Sequence, residues 1–131
     1  MLSKERKYLG LALTESAKST YERVKIGAVI VNNGKVVGKG ANLSTSHPLQ
    51  RKYNDMSRRI APAHALHAEM HAIVKAGSKC HGATIYVARI DRRGLWAQCK
   101  PCPACALAIK LAGIKLVVHT TPTGVEKIWV S

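Results

Sequence analysis

Two short stretches carry the residue types that bind metals and move protons. In "LHAEMHA", Leu66–Ala72, a glutamate stands between two histidines in a chain with seven acidic residues, and further along "CKPCPAC" sets Cys102 and Cys105 two residues apart. A Cys-x-x-Cys pair at the start of a helix can aim both sulfurs at one ion. Pro103 suits a first helical turn, where its missing N–H costs nothing, and the positive helix end favours thiolate over thiol. Two thiolates make half of a tetrahedral zinc set, and His67 is the obvious third ligand. Three protein ligands leave one position for water, the arrangement of a catalytic site, and zinc brings the pKa of such a water to about 7. Glu69, two residues past His67, can face that water without occupying a ligand position, so its expected work is proton transfer.

Other readings of the same residues stand beside this one. His71 lies four residues from His67, but a metalloprotease H-E-x-x-H helix needs glutamate where this chain has Ala68, so His71 reads as packing or support. Cys99 extends the run to C-x-x-C-x-x-C, yet Ile109 occupies the place of the fourth cysteine of a bacterial iron–sulfur pattern. A structural zinc using Cys80 or Cys99 as fourth ligand is the non-catalytic rival, and it leaves Glu69 without a role. His47 and His64 fall in a long connection.

The elements that must position these residues follow from periodicity and turn chemistry. "SKERKYLGLALTESAKS" opens with Ser3 as a helix cap and spaces Leu2, Leu9, Leu13 and Ala17 along one face. Two β-branched runs flank Asn33-Gly34, the strongest short hairpin signal, so two antiparallel strands are expected. Residues 42–65, with Pro48 and Pro62, have no clear period and read as a long irregular connection. "HAEMHAIVKAG" reads as a helix ending at Gly77, "ATIYVA" as a strand, and "RIDRRGLWAQ" as a projecting loop or hairpin. "CPACALAIKLAG" is a third helix, and "IKLVVHT" and "VEKIWV" are strands. The "TPTG" link between them is too short for a parallel crossover, so the last pair is antiparallel. Strands alternating with helices imply a layered α/β sheet.

Composition bounds the function. A chain of 131 residues suits one domain spanning 1–131. The absence of a long apolar run predicts no membrane span, and four cysteines without a disulfide pattern fit a cytoplasmic chain. Lys and Arg outnumber Asp and Glu by 21 to 7, a net charge of +14, which draws anions such as phosphates.

His67-Ala68-Glu69 followed by Pro101-Cys102-Pro103-Ala104-Cys105 resembles the H-x-E…P-C-x-x-C signature of zinc-dependent nucleobase deaminases. The order of elements and Gly40-Ala41-Asn42 after the second strand are similar as well, so the likeness covers most of the chain. "PCPACALAIKLAGIKLVVH" is most similar to deoxycytidylate deaminases, whereas the terminal antiparallel hairpin is more like cytidine deaminases. The resemblance implies a three-layer α/β/α cytidine-deaminase-like fold with a five-stranded mixed sheet, and zinc held by His67, Cys102 and Cys105. It implies that Glu69 takes a proton from the attacking water and gives protons to the ring nitrogen and the departing ammonia, so that cytosine becomes uracil. It also implies that Asn42 contacts the sugar and that the Ala68 N–H meets the base carbonyl. Members are often dimers or tetramers, so a homo-oligomer is an open alternative.

Substrate choice falls to the loops. Arg23 and Lys25, then Arg51, Lys52, Arg58 and Arg59, then Arg89, Arg92, Arg93 and Lys100 make three basic connections, interleaved with Tyr21, Tyr53 and Trp96. Cations that track phosphates and rings that stack on bases suit single-stranded nucleic acid, while core or loop packing is an equally good reading of each aromatic. The expectation is a phosphate-bearing cytosine substrate, with single-stranded DNA or RNA slightly ahead of free deoxycytidylate. Free cytidine or deoxycytidine, adenine, and a basic nucleic-acid-binding module with structural zinc are the alternatives.

Overall fold

A computed structural model describes residues 3–22, 24–45, 47–57 and 65–131. Helix α1, Lys4–Ser16, starts where Ser3 Oγ accepts the Arg6 N–H at 3.2 Å. Its buried face is Tyr8, Leu9, Ala12 and Ser16. Ala17 is exposed and caps the helix, which corrects its expected place on the apolar stripe, and Leu2 lies outside the described residues.

Strands β1 (Ile26–Asn32) and β2 (Lys35–Ala41) pair antiparallel through Asn33-Gly34. Positive φ at both turn residues, 51° and 77°, gives the turn whose twist matches that of the strands. β3 (Thr84–Arg89), β4 (Leu116–Thr121) and β5 (Gly124–Trp129) complete a sheet of order β2-β1-β3-β4-β5. β3 and β4 are parallel, and β4 and β5 form the expected antiparallel hairpin. Alternation along the strands divides the core: Val29, Val31, Tyr86 and Val118 face α1, while Ala28, Ile30, Ile85, Val87 and Val117 face the other layer.

That second layer holds α3 (Ala68–Ala76) and α4 (Pro103–Leu111), joined by a helix the sequence reading missed. Residues 48–56, expected to be irregular, form α2, Pro48–Met56. Pro48 opens it, His47 Nδ1 accepts the Leu49 N–H at 3.1 Å, and it packs against α4. Its fully buried side chains are amides, Gln50 and Asn54, and its apolar side is only Leu49 and Tyr53, one turn apart and partly buried against the core.

The stretch after β3 is a tight hairpin. Asp91 Oδ1 accepts the N–H groups of Arg93 and Leu95 at 2.9 and 3.0 Å, and Ile90 bridges Trp96. Thr120 Oγ1 accepts from the Arg89 N–H at 3.2 Å and donates to the Ala97 carbonyl at 2.9 Å, tying both stems to β4. No described helix is long and apolar enough to cross a membrane.

Candidate active site

α3 and α4 both begin at the carboxyl end of β3, the usual end for ligand sites in open α/β sheets. His67 is the N-cap of α3 and Cys102 the N-cap of α4. Cys102 Sγ accepts the Cys105 N–H at 3.5 Å, and Pro103 fills the first turn of α4. β2 lets α3 lie close to the sheet at this end: a Cβ on Gly40 would stand 2.5 Å from Ala72 N and 2.6 Å from the Ala68 carbonyl oxygen.

His67 Nδ1 lies 3.5 Å from Cys102 Sγ and 3.3 Å from Cys105 Sγ, and the three donor atoms sit within 4.8 Å of one another. A tetrahedral ion with Zn–S near 2.3 Å and Zn–N near 2.0–2.1 Å separates sulfur from nitrogen by about 3.6 Å, so the donor set fits zinc. Its electrostatics agree. The hydrogen bond with the Cys105 side chain, then the His67 ring and the Cys105 N–H, pull the Cys102 thiol down to about 3 against the opposing effect of burial. Among the described residues this trio is the metal-binding group, and neither Cys80 nor Cys99 belongs to it.

Glu69 occupies the second position of α3 and is 5% exposed. Burial pushes its carboxyl above the ordinary carboxylate range, with its backbone N–H bond and His67 opposing. A carboxyl so raised can hold a proton that it later gives up. Ala68, fully buried at the first helical position, has a backbone N–H without an intrahelical acceptor.

These residues floor a cleft of about 390 Å³. Tyr21 and Asn42 line one side, and Gln98, Cys99 and Lys100 the other. Asn42 is buried and engaged: its Oδ1 accepts the Ile26 N–H at 2.9 Å and its Nδ2 donates to the Val24 carbonyl at 2.7 Å. One Nδ2 hydrogen is left for a ligand. His71 Nδ1 lies 3.2 Å from both the backbone nitrogen and the carbonyl oxygen of Ala41, so His71 supports the strand end beside Asn42.

The other named residues stand elsewhere. Arg51 and Lys52 are exposed on α2, where with His47 and Asp55 they line a separate hollow. Arg92 and Arg93 are exposed on the hairpin after β3, and Arg93 is paired with Asp91 at 3.0 Å. Trp96 packs on the α1 side of the sheet, with the Arg6 guanidinium 5.6 Å from its ring. Arg23, Arg58, Arg59 and His64 lie outside the described residues. The sequence reading passed over Gln98 in the cleft wall and Gln50 beneath it. The spacing of Gln50 and Asn54, four apart after His47-Pro48, was the available signal for the latter.

A Cys₂His donor set, a buried acid beside it and a cleft above define a zinc-dependent hydrolytic site on an α/β sheet. Residues 2–121 match the family described as the cytidine and deoxycytidylate deaminase zinc-binding region, and the chain belongs to that family. It is 31% identical to a deoxycytidylate deaminase of Mycobacterium phage D29, over 86% of this chain and 90% of that protein. Riboflavin biosynthesis protein RibD of Aquifex aeolicus is 32% identical over 89% of this chain, which spans 28% of that longer protein. The crystal structure of dCMP deaminase from the cyanophage S-TIM5 superposes with a TM-score of 0.63 at 25% identity, covering 91% of this chain and 84% of that one.

Proposed function

We propose that the protein hydrolytically converts the cytosine of a phosphate-bearing nucleotide to uracil, and that free deoxycytidylate is the preferred form. The observation that carries this reading is Lys100, which lines the same cleft as Glu69 and is the one Lys or Arg to do so among the described residues. A single cation suits a single phosphate, whereas a polynucleotide groove repeats cations and stacking rings along the strand. The similarity to two phage deoxycytidylate deaminases supports the same choice.

Zinc held by His67, Cys102 and Cys105 would supply Lewis acidity, bringing a bound water's pKa to about 7. Glu69 takes a proton from the attacking water and passes it to N3 of the pyrimidine. The Ala68 N–H donates to the O2 carbonyl and fixes the ring so that C4 faces the water. The water oxygen adds to C4, Glu69 then takes the remaining proton of that hydroxyl and gives it to the amino nitrogen, and the C4–N bond breaks as the C4 carbonyl forms and ammonia leaves. Water and cytosine thus give uracil and ammonia. The asparagine hydrogen left at Nδ2 of Asn42 serves the sugar.

A second reading, cytosine within single-stranded nucleic acid, is favoured by the net charge of +14 and by exposed Arg51 and Lys52 on α2. Offering the zinc-loaded protein cytidine, deoxycytidylate and a cytosine-containing oligonucleotide side by side separates the two. Turnover fastest on deoxycytidylate supports the proposal. Turnover of the oligonucleotide alone would replace it with the strand reading, and turnover of none of the three would overturn both.

A further inference from the structure

Gln50 is fully buried on α2, and it reaches a metal ligand from a different helix. Its Oε1 accepts the backbone N–H of His67 at 2.9 Å, across 17 residues of sequence. Its Nε2 donates to Asn54 Oδ1 at 2.9 Å, one turn along α2, and Asn54 is buried too.

The N-cap N–H of a helix is one of the terminal donors that lack an intrahelical acceptor. In a capping box it is satisfied from within the helix, by a glutamate or glutamine at the third position. In α3 that position is Met70, fully buried and apolar, so the helix cannot supply its own acceptor. Nor does the His67 side chain cap the helix, since its ring nitrogen points to the two cysteine sulfurs. Gln50 fills the place that Met70 leaves, and the Asn54 carbonyl oxygen sets which end of the Gln50 amide faces His67.

We propose that Gln50, braced by Asn54, is a positioning residue for the metal site. It fixes the backbone of His67, and with it the direction of Nδ1 toward Cys102 and Cys105. A buried amide must have its hydrogen-bond partners supplied, so an apolar side chain would be the expected filler here if packing α2 against α4 were all that was needed. The inference rests on the zinc site and not on the choice of substrate, and it is read by metal affinity without turnover.

The test is competition for zinc between the folded protein and a chromogenic chelator, with thermal unfolding of the metal-free protein recorded in parallel. Gln50→Met keeps the length and removes the acceptor; zinc affinity is expected to fall by about 10–100-fold, as for other residues that orient ligands. Gln50→Glu keeps an acceptor, with Asn54 able to turn its NH₂ toward it, and should bind zinc more tightly than Gln50→Met. Asn54→Leu removes the brace alone and should weaken zinc less than Gln50→Met does. Zinc affinity unchanged in Gln50→Met, with only the unfolding midpoint lowered, would make Gln50 a prop for α2 and overturn the proposal. If Gln50→Met does not fold, Asn54→Leu decides: unchanged zinc affinity there overturns the proposal equally.

Discussion

His67 Nδ1 and Cys105 Sγ lie 3.3 Å apart although 38 residues separate them in sequence. The starts of two helices, α3 and α4, meet at the end of β3, where His67 Nδ1 approaches the sulfurs of both Cys102 and Cys105. The functional residues are therefore held by helix ends and by what caps them.

Metal content follows directly from that contact. The protein should purify with one zinc per chain, and either His67→Ala or Cys105→Ala should lower bound zinc to a small fraction under the same conditions. Elemental analysis of dialysed protein reads this. Full zinc occupancy in both variants would mean that the metal sits elsewhere.

Gly40 governs how closely α3 approaches the sheet, because a Cβ there would fall 2.6 Å from the Ala68 carbonyl oxygen and 2.7 Å from His71 Cβ. Gly40→Ala should cost about 1–3 kcal/mol of stability, the usual penalty for overpacking. Because the clash lies one residue from Glu69, activity should fall more than the loss of folded protein explains. Urea unfolding with activity measured per folded molecule checks both.

Asn42 has structural work beside any contact with substrate. Removing its two bonds to the chain takes the side-chain partner from the Ile26 N–H and from the Val24 carbonyl, both in part-buried bonds. Asn42→Ala should destabilise the protein by about 1–3 kcal/mol. Stability unchanged within about 0.5 kcal/mol would confine Asn42 to a ligand role.

Burial pushes the Cys80 thiol up and the Tyr86 hydroxyl to about 12. Both groups ionise earlier in the unfolded chain, near pH 9.0 and 10.0, so the folded state holds more protons above those values. The stability they contribute is present below pH 9 and is lost as pH rises toward the folded values. Unfolding midpoints should decline between pH 9 and pH 11, and the Cys80→Ala variant should show a shallower decline. Equal slopes would remove Cys80 from the account.

The sequence is most legible where chemistry or a turn constrains residue type. The spacing of His67, Glu69, Cys102 and Cys105, the Asn33-Gly34 turn and the short "TPTG" link each allow few structures, and the structure has the corresponding metal-donor trio and both hairpins. Helix α2 escaped because only Leu49 and Tyr53 give it an apolar side, and its fully buried positions are amides whose burial depends on hydrogen bonds such as that to His67. Trp96 was open in sequence between stacking on a base and packing. A tryptophan among arginines resembles a stacking platform in sequence, and only the hairpin pinned to Thr120 places it against the α1 layer. Asn42 stands between the two cases, named for a sugar contact while its amide also holds the entry to β1.

The central claim is that Glu69 moves the protons of a zinc-dependent deamination. The most direct measurement is uracil formation from deoxycytidylate by wild type and by Glu69→Gln, each with zinc content determined. Glu69→Gln should keep its zinc and its fold while losing about 10²–10⁴ in turnover, the usual worth of a general acid–base. Turnover by Glu69→Gln within a few-fold of wild type, at equal zinc, would contradict the account.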